Sequence, residues 1–444
     1  KSLVAATALA GLCGQALAQE APQSIRIGWA IAKTGVNAGG TSVTTAPNYK
    51  LWVKEINDAG GIMLKAYNKR VPIEVIEYDD RSSTEEAVRA TERLITQDKV
   101  DFVLPPWGTG SNLAVGPTYE KHKYPLLAAT SVTDKAPDLA KRWKHAFFFL
   151  GTGGEYAEGL VAMLEKAKKD GKINHKIAMI NIADGFGVEL ANATRKAAKQ
   201  HGFELVYDKS YPIGTQDMTP VINEAKGKGA DTFVAYSYPP DTMLINEQAR
   251  TLGLAPKVLF TGVGTQFPMF KGKFGAAAEG VMAPGGIDAG NPQMQAYLKR
   301  FKEVTGQESD RFASPIVYTS LQMLQQAIER VGKIDRAAVT QELKSGSFET
   351  VLGPVKLEGQ MLIGRRHRDI HKMQTQPGAC IDIVHMHAAP DHQCGIRQCL
   401  TQRTNTTAFI QPHSRNTDFQ FRNTDFPQLT GNGNFLILSK SHTG

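Results

Sequence analysis

Between Cys13 and Cys380 the sequence contains no cysteine. That long stretch must hold together through its apolar core, without disulfides. Beyond the N-terminal segment no apolar run approaches the ~20 residues needed to span a bilayer. Charged residues make up only 21% of the chain against 41% hydrophobic, the balance of a globular protein. The formal net charge is +8, but Lys and Arg are scattered at helix-surface spacing. The one tight basic cluster, "GRRHR" (Gly364–Arg368), lies in an atypical tail. This pattern argues against a nucleic-acid partner.

Catalytic signatures are also missing. There is no G-x-S-x-G elbow, no H-E-x-x-H zinc helix and no P-loop Lys-Ser/Thr. "GTGG" and "GVGTQ" are not the dinucleotide fingerprint, so no cofactor is expected. His122, His145, His175 and His201 fall at helix ends and surfaces, where solvated roles are the ordinary ones. Binding rather than turnover is the expectation.

The start, "KSLVAATALAGLCGQALAQEAPQ", has a charged Lys1, an apolar stretch to Cys13, and the small-x-small pattern Ala16-Leu17-Ala18. It reads as an export signal over residues 1–18, with the mature chain beginning near Gln19. Bulky Leu12 before Cys13 disfavours a lipoprotein site. At the other end, Met361 to Gly444 holds no Glu, Trp or Tyr, yet carries seven of the eleven His and three of the four Cys. It repeats "RNTDF" and sustains neither helical nor strand periodicity. Residues 363–444 read as an unpacked tail or an altered reading frame. His385, His387, His392, Cys394 and Cys399 have ligand-like spacing there, but the composition argues against an ordered metal site.

What the sequence does have is alternation. At 444 residues two lobes are expected. "IRIGWAI", "VPIEVIEYDD", "DFVL" and "YPLLAATS" read as apolar strands. Between them lie "APNYKLWVKEINDAGG", a helix stopped by Gly60-Gly61, and "STEEAVRATERLITQDK", a helix with a Ser/Thr cap and early glutamates. A second series runs from "HAFFFL" to "PKVLFTGVGTQ" in the same order. "AAEGVMAPGG" reads as a strand crossing back, followed by two helices that return to the first lobe, and "FETVLGPVKLEGQ" as a third crossing. The expected fold is α/β, with two doubly wound parallel-sheet lobes joined by three crossovers.

In such sheets, ligands sit outside the carboxyl ends of the strands. The segments there, "AKTGVNAGG", "PPWGTGS", "AATSVTD", "NIADGFG", "YSYPPD" and "TGVGTQ", are rich in Gly, hydroxyls and aromatics. Glycine admits close backbone approach, and a following helix N-terminus offers free N–H donors to a carboxylate. Thr109, Ser111, Thr130, Ser131 and Thr133 add hydroxyls, although Thr109 and Ser111 also suit helix capping. Trp107, Phe186, Tyr236 and Tyr238 supply apolar walls.

These motifs in this order, together with "INDAGGI", "FGVELANA", "EQARTLGL" and "GPVKLEG", resemble the branched-chain amino-acid (Leu/Ile/Val) binding proteins of ABC importers, the type I periplasmic binding proteins. The resemblance covers roughly Ser24 to Gln360. It implies one lobe from 24–146 and 284–348, a second from 147–283 and 349–362, and hinge closure on a ligand. It implies a monomer in the periplasm that delivers its ligand to membrane permease subunits. It places the carboxylate loops on Trp107-Gly108-Thr109 and Thr130–Thr133. Gly108 stands at the usual serine, which leaves Thr109 to supply the hydroxyl. Phe186 falls on the second-lobe aromatic, and Tyr236 or Tyr238 on the second-lobe tyrosine. Of the acidic positions that relatives use for the α-ammonium, one falls near Gly153 to Glu155 and the other on Gly264, which leaves Glu155 or Asp184 to reach the ligand. The ligand class implied is an amino acid or a related small carboxylate. A ligand sensor of the same fold, binding amides or amine-free acids and feeding a signalling partner, is the second reading.

Overall fold

The computed structural model describes residues 20–285 and 290–362. The expected export signal and the tail, with its His and Cys residues, lie outside the described residues. Among the described residues, no helix is long and apolar enough to cross a membrane.

Strand Ile25–Ile31 pairs in parallel with Ile73–Asp79 on one side and Phe102–Leu104 on the other. Its residues are buried almost throughout, which is why the segment is apolar without alternation. A second parallel pair, Leu126–Ala128 with Ala146–Phe148, lies next to Phe102–Leu104. The other sheet has five parallel strands in the order Val281–Met282, Val258–Gly262, Thr232–Tyr236, Lys176–Ile182, Glu204–Tyr211. The fold is therefore the α/β one expected from the alternation.

Local chemistry explains where the helices start and stop. Ser83 caps helix Thr84–Thr96 by accepting the Glu86 N–H at 3.3 Å, with Glu85 and Glu86 in the positive first turn. Helix Thr45–Asp58 stops at Gly60 and Gly61, whose φ angles are +84° and +107°. A Cβ on Gly61 would sit 2.3 Å from the Val71 backbone, so only glycine fits there.

Helices Pro292–Thr305 and Ser314–Val331 return to the first sheet, as the sequence suggested. Both pack on helix Thr45–Asp58, the first through Tyr297, which donates to Asn48 Oδ1 at 2.8 Å, and Arg300, which donates to Glu55 at 2.8 Å, and the second through Tyr318, which donates to Glu55. Four local readings change. The Gly-rich loop "VNAGG" contains a short helix, Ala38–Val43. Val281–Met282 is an edge strand of the five-stranded sheet rather than a free crossing strand. Helix Arg336–Ser345, capped by Asp335, is a further element, although Asp335 before it and Gly346 after it are the usual start and stop residues. The third crossing opens as an antiparallel hairpin, Ser347–Thr350 with Gly353–Lys356. It then runs beside strand Ala146–Phe148, where Phe148 donates to the Gln360 carbonyl at 2.9 Å and accepts from the Leu362 N–H at 2.8 Å.

Candidate ligand-binding site between the two sheets

Strand Phe102–Leu104 ends at Pro105-Pro106, and the chain turns through Trp107 and Gly108 into helix Thr109–His122. Gly108 has φ +87° and ψ 158°, a conformation essentially reserved for glycine. Asn112 pins the turn, its Nδ2 donating to the carbonyls of Pro106 at 2.9 Å and Gly108 at 2.8 Å. The loop after Leu126–Ala128 is stitched to it twice. Gly108 N–H donates to Thr130 Oγ1 at 3.1 Å, and Val132 N–H donates to Thr109 Oγ1 at 3.0 Å. Thr109 returns its own proton to the Val132 carbonyl at 3.3 Å. The two hydroxyls expected to hold a carboxylate therefore shape the loops that surround the site.

Trp107 packs against helix Ala38–Val43, and a Cβ on Gly40 would come within 2.2 Å of its ring. On its other side it meets Tyr238 at 4.8 Å between centroids. Tyr238 stacks on Phe186 at 5.2 Å with an 18° tilt. Its hydroxyl donates to Asp184 Oδ2 at 2.7 Å, and the Thr109 N–H faces the phenol oxygen. Burial, then the neighbouring Asp184 charge, hold the phenol well above its ordinary pKa, so it remains a donor. Asp184 caps helix Gly185–Gln200 by accepting the Gly187 N–H at 2.9 Å. Burial raises its pKa more than these hydrogen bonds lower it. The N-termini of three helices, Thr109–His122, Gly185–Gln200 and Pro239–Thr251, thus meet around one carboxylate and one phenol.

Between these walls is a small cavity, partly open to solvent. Trp107, Gly108, Thr109, Thr130, Phe186 and Tyr238 line it, brought together from both sheets. A second small cavity shares Val132, Phe186 and Phe312 with the first and is closed by Tyr236, among others. Tyr236 turns its hydroxyl away, to Thr194 at 2.5 Å. Of the two tyrosines left open by the sequence, Tyr238 faces the first cavity and Tyr236 the second.

Four expected site positions, Ser111 on helix Thr109–His122 among them, lie off both cavities. Ser131 is fully buried between two lining residues. Thr133 donates to Glu189 Oε2 at 2.7 Å. Gly264, at φ +127°, packs against Pro239 and Thr242, where a Cβ would sit 2.9 Å from the Pro239 backbone. An acid at Gly264 would clash in this backbone. Glu155 is exposed and closes a capping box with Thr152, away from the cavities.

Sequence reasoning missed Thr44, Leu150, Val263, Phe312 and Ala313. Phe312 and Ala313 arrive from the distant return segment, held by Asp310, which accepts their N–H groups at 2.7 and 2.6 Å. Asp310, four residues before Ser314 at the start of a helix, was the available signal. Among the described residues, no cluster of His, Cys, Asp and Glu is arranged to hold a metal ion.

Comparison with known proteins agrees with this architecture. The periplasmic binding protein family model matches residues 24–376. A Leu/Ile/Val-binding protein homolog of Brucella suis is 24% identical over 69% of this chain and 77% of its own length. A leucine-, isoleucine-, valine-, threonine- and alanine-binding protein of Pseudomonas aeruginosa is 25% identical over 79% of this chain and 89% of its own. In three dimensions the chain is similar to the branched-chain amino-acid transporter protein LivJ of Streptococcus pneumoniae with isoleucine, at TM-score 0.65, 24% identity, and coverage of 76% and 93%. It is equally similar to an ABC-transporter solute-binding protein of R. palustris with benzoate, at TM-score 0.65, 18% identity, and coverage of 76% and 90%. The chain belongs to the periplasmic binding protein family, with the type I fold of the Leu/Ile/Val-binding proteins.

Proposed function

We propose that this protein is the solute-binding component of an ABC importer, capturing a small carboxylate, amino acid or related, between its two lobes. The lobes are those inferred from the sequence, 24–146 with 284–348 and 147–283 with 349–362. The protein works as a periplasmic monomer after export and hands its ligand to permease subunits; it catalyses no reaction. The observation that carries this reading is the cavity bounded by Trp107, Gly108 and Thr109 on one side and Phe186 and Tyr238 on the other. A helix N-terminus opens into it at Thr109, where backbone N–H groups and the helix dipole favour an anion. Tyr238 occupies that donor with its hydroxyl, and a ligand carboxylate would take its place.

Calorimetric titration of the full chain and of Trp107→Ala with small carboxylates tests the reading. Losing a central aromatic anchor lowers affinity by roughly tenfold or more. Unchanged affinity in Trp107→Ala would place the ligand elsewhere.

A further inference from the structure

The segment Thr133–Lys135 follows the loop that carries Thr130 and Val132, yet none of its three residues lines either cavity. They turn to the second lobe instead. Thr133 Oγ1 donates to Glu189 Oε2 at 2.7 Å, and the Asp134 N–H donates to the same oxygen at 2.8 Å. Lys135 Nζ lies 3.2 Å from Glu189 Oε1. Asp134 Oδ1 accepts the Gly154 N–H at 2.7 Å, in the first turn of helix Gly153–Lys169. The Thr133 N–H donates to the Gly151 carbonyl at 3.3 Å, between strand Ala146–Phe148 and that helix. Three consecutive residues of the first lobe are thereby fastened to two helices of the second and to the chain that joins the lobes.

These bonds are of the stronger kind, since most of them end on a carboxylate. Elsewhere along the cleft the lobes approach only loosely. A Cβ on Gly39 would stand 3.9 Å from Pro239, and one on Gly214 would stand 4.0 Å from Val36, ordinary van der Waals distances. The polar ties of Thr133–Lys135 also differ from a ligand's in one decisive respect. They run directly from lobe to lobe, and no ligand atom is needed to complete them. A ligand shifts a conformational equilibrium only by binding one state better than the other, whereas these bonds favour the closed state whether the site is filled or not.

We propose that Thr133–Lys135 is a ligand-independent latch, and that the free protein rests closed on Glu189 and Asp134, opening only transiently to load. This inference rests on the two-lobe binding function proposed above and adds how access to that site is regulated. A chain that is already closed spends less of the ligand's binding energy on closure, so the latch favours retention at the expense of loading.

The test is made on the full chain with no ligand added, after unfolding, dialysis and refolding to remove any ligand carried from expression. Trp107, in the cleft and 4% exposed, reports opening through acrylamide quenching of its fluorescence. Trp29, Trp52 and Trp143 line neither cavity and give the same background in every sample. Small-angle scattering measures closure independently. The wild-type chain is expected to hold its open form at about a tenth of the population or less. In the double variant Glu189→Ala with Asp134→Ala the open form is expected to exceed half, so that Trp107 quenching rises roughly fivefold and the radius of gyration increases. Glu189→Gln, which keeps an acceptor for both donors, is expected to stay near wild type. Melting curves check that each variant folds. Asp134 is exposed, so Asp134→Ala alone keeps the test open if the double variant does not fold, with a smaller shift in the same direction. Equal quenching and equal dimensions in wild type and folded variants, whether all open or all closed, would overturn the latch. A chain that proves latched yet binds no small carboxylate would support this inference and strike the ligand reading above.

Discussion

Glu189 of helix Gly185–Gln200 reaches across the cleft to the loop after strand Leu126–Ala128, where its Oε2 accepts from Thr133 Oγ1 at 2.7 Å and from the Asp134 N–H at 2.8 Å. Its other oxygen lies 3.2 Å from Lys135 Nζ. The residues just before Thr133 carry Thr130 and Val132, which line the first cavity and stitch it to Thr109. A single buried carboxylate thus ties the second sheet's helix to the loop that shapes the site. Glu189→Ala is expected to accelerate ligand dissociation roughly tenfold or more, with a smaller change in association, because buried charged hydrogen bonds act mainly on the off-rate. Stopped-flow measurement of both rates checks this.

Gly108→Ala is expected to destabilise the fold by about 1–3 kcal/mol, since its φ and ψ lie where a Cβ is strained. The loss should extend to binding, because the same turn aims Thr109. Chemical denaturation and titration of one variant separate the two effects.

Tyr238→Phe removes the donor to Asp184 and the acceptor for the Thr109 N–H. It is expected to cost about 1–3 kcal/mol of stability, the range for leaving a buried polar partner unsatisfied. The freed N–H should at the same time bind a ligand carboxylate more readily, so affinity is expected to hold or rise. A falling melting temperature with undiminished affinity is the distinguishing outcome.

Asp241, in the first turn of helix Pro239–Thr251, is buried, and burial pushes its pKa up to about 6, with the Asp184 charge adding to the shift. A carboxyl whose folded pKa exceeds its unfolded one binds more protons in the native state. Its contribution is therefore favourable at low pH and is lost as pH rises from about 4 to about 6. Asp241→Asn is expected to be the more stable protein at pH 7, by a few kcal/mol at most, with the difference vanishing near pH 4. Melting curves of both proteins across this range give the sign directly.

Much of this was legible in the sequence, for identifiable reasons. Ile25–Ile31 and Lys176–Ile182 are apolar along their length because helices cover both faces, and Gly60-Gly61 and Ser83 punctuate helices by local chemistry alone. Trp107, Phe186 and Tyr238 stood at strand ends, and the fold brings strand ends together. The direction of a hydroxyl was not legible: Thr109 and Thr130 have the right chemistry for a ligand but spend it on each other's loops. Nor was the arrival of Phe312 and Ala313, which depends on a return crossing and on Asp310 gathering three backbone N–H groups. The short helix Ala38–Val43 was hidden by Gly39 and Gly40, which lower helix propensity, while Gly40 is required for contact with Trp107.

The capture of a ligand between the two sheets is tested most directly by amide hydrogen exchange on the full chain, free and saturated with whichever carboxylate binds. The expected result is protection that rises together in Gly108–Asn112, Asp184–Leu190 and Tyr238–Thr242, the three helix starts that face one cavity. Protection confined to one of these segments, or lying outside all three while the ligand is bound, would contradict a site shared between the sheets.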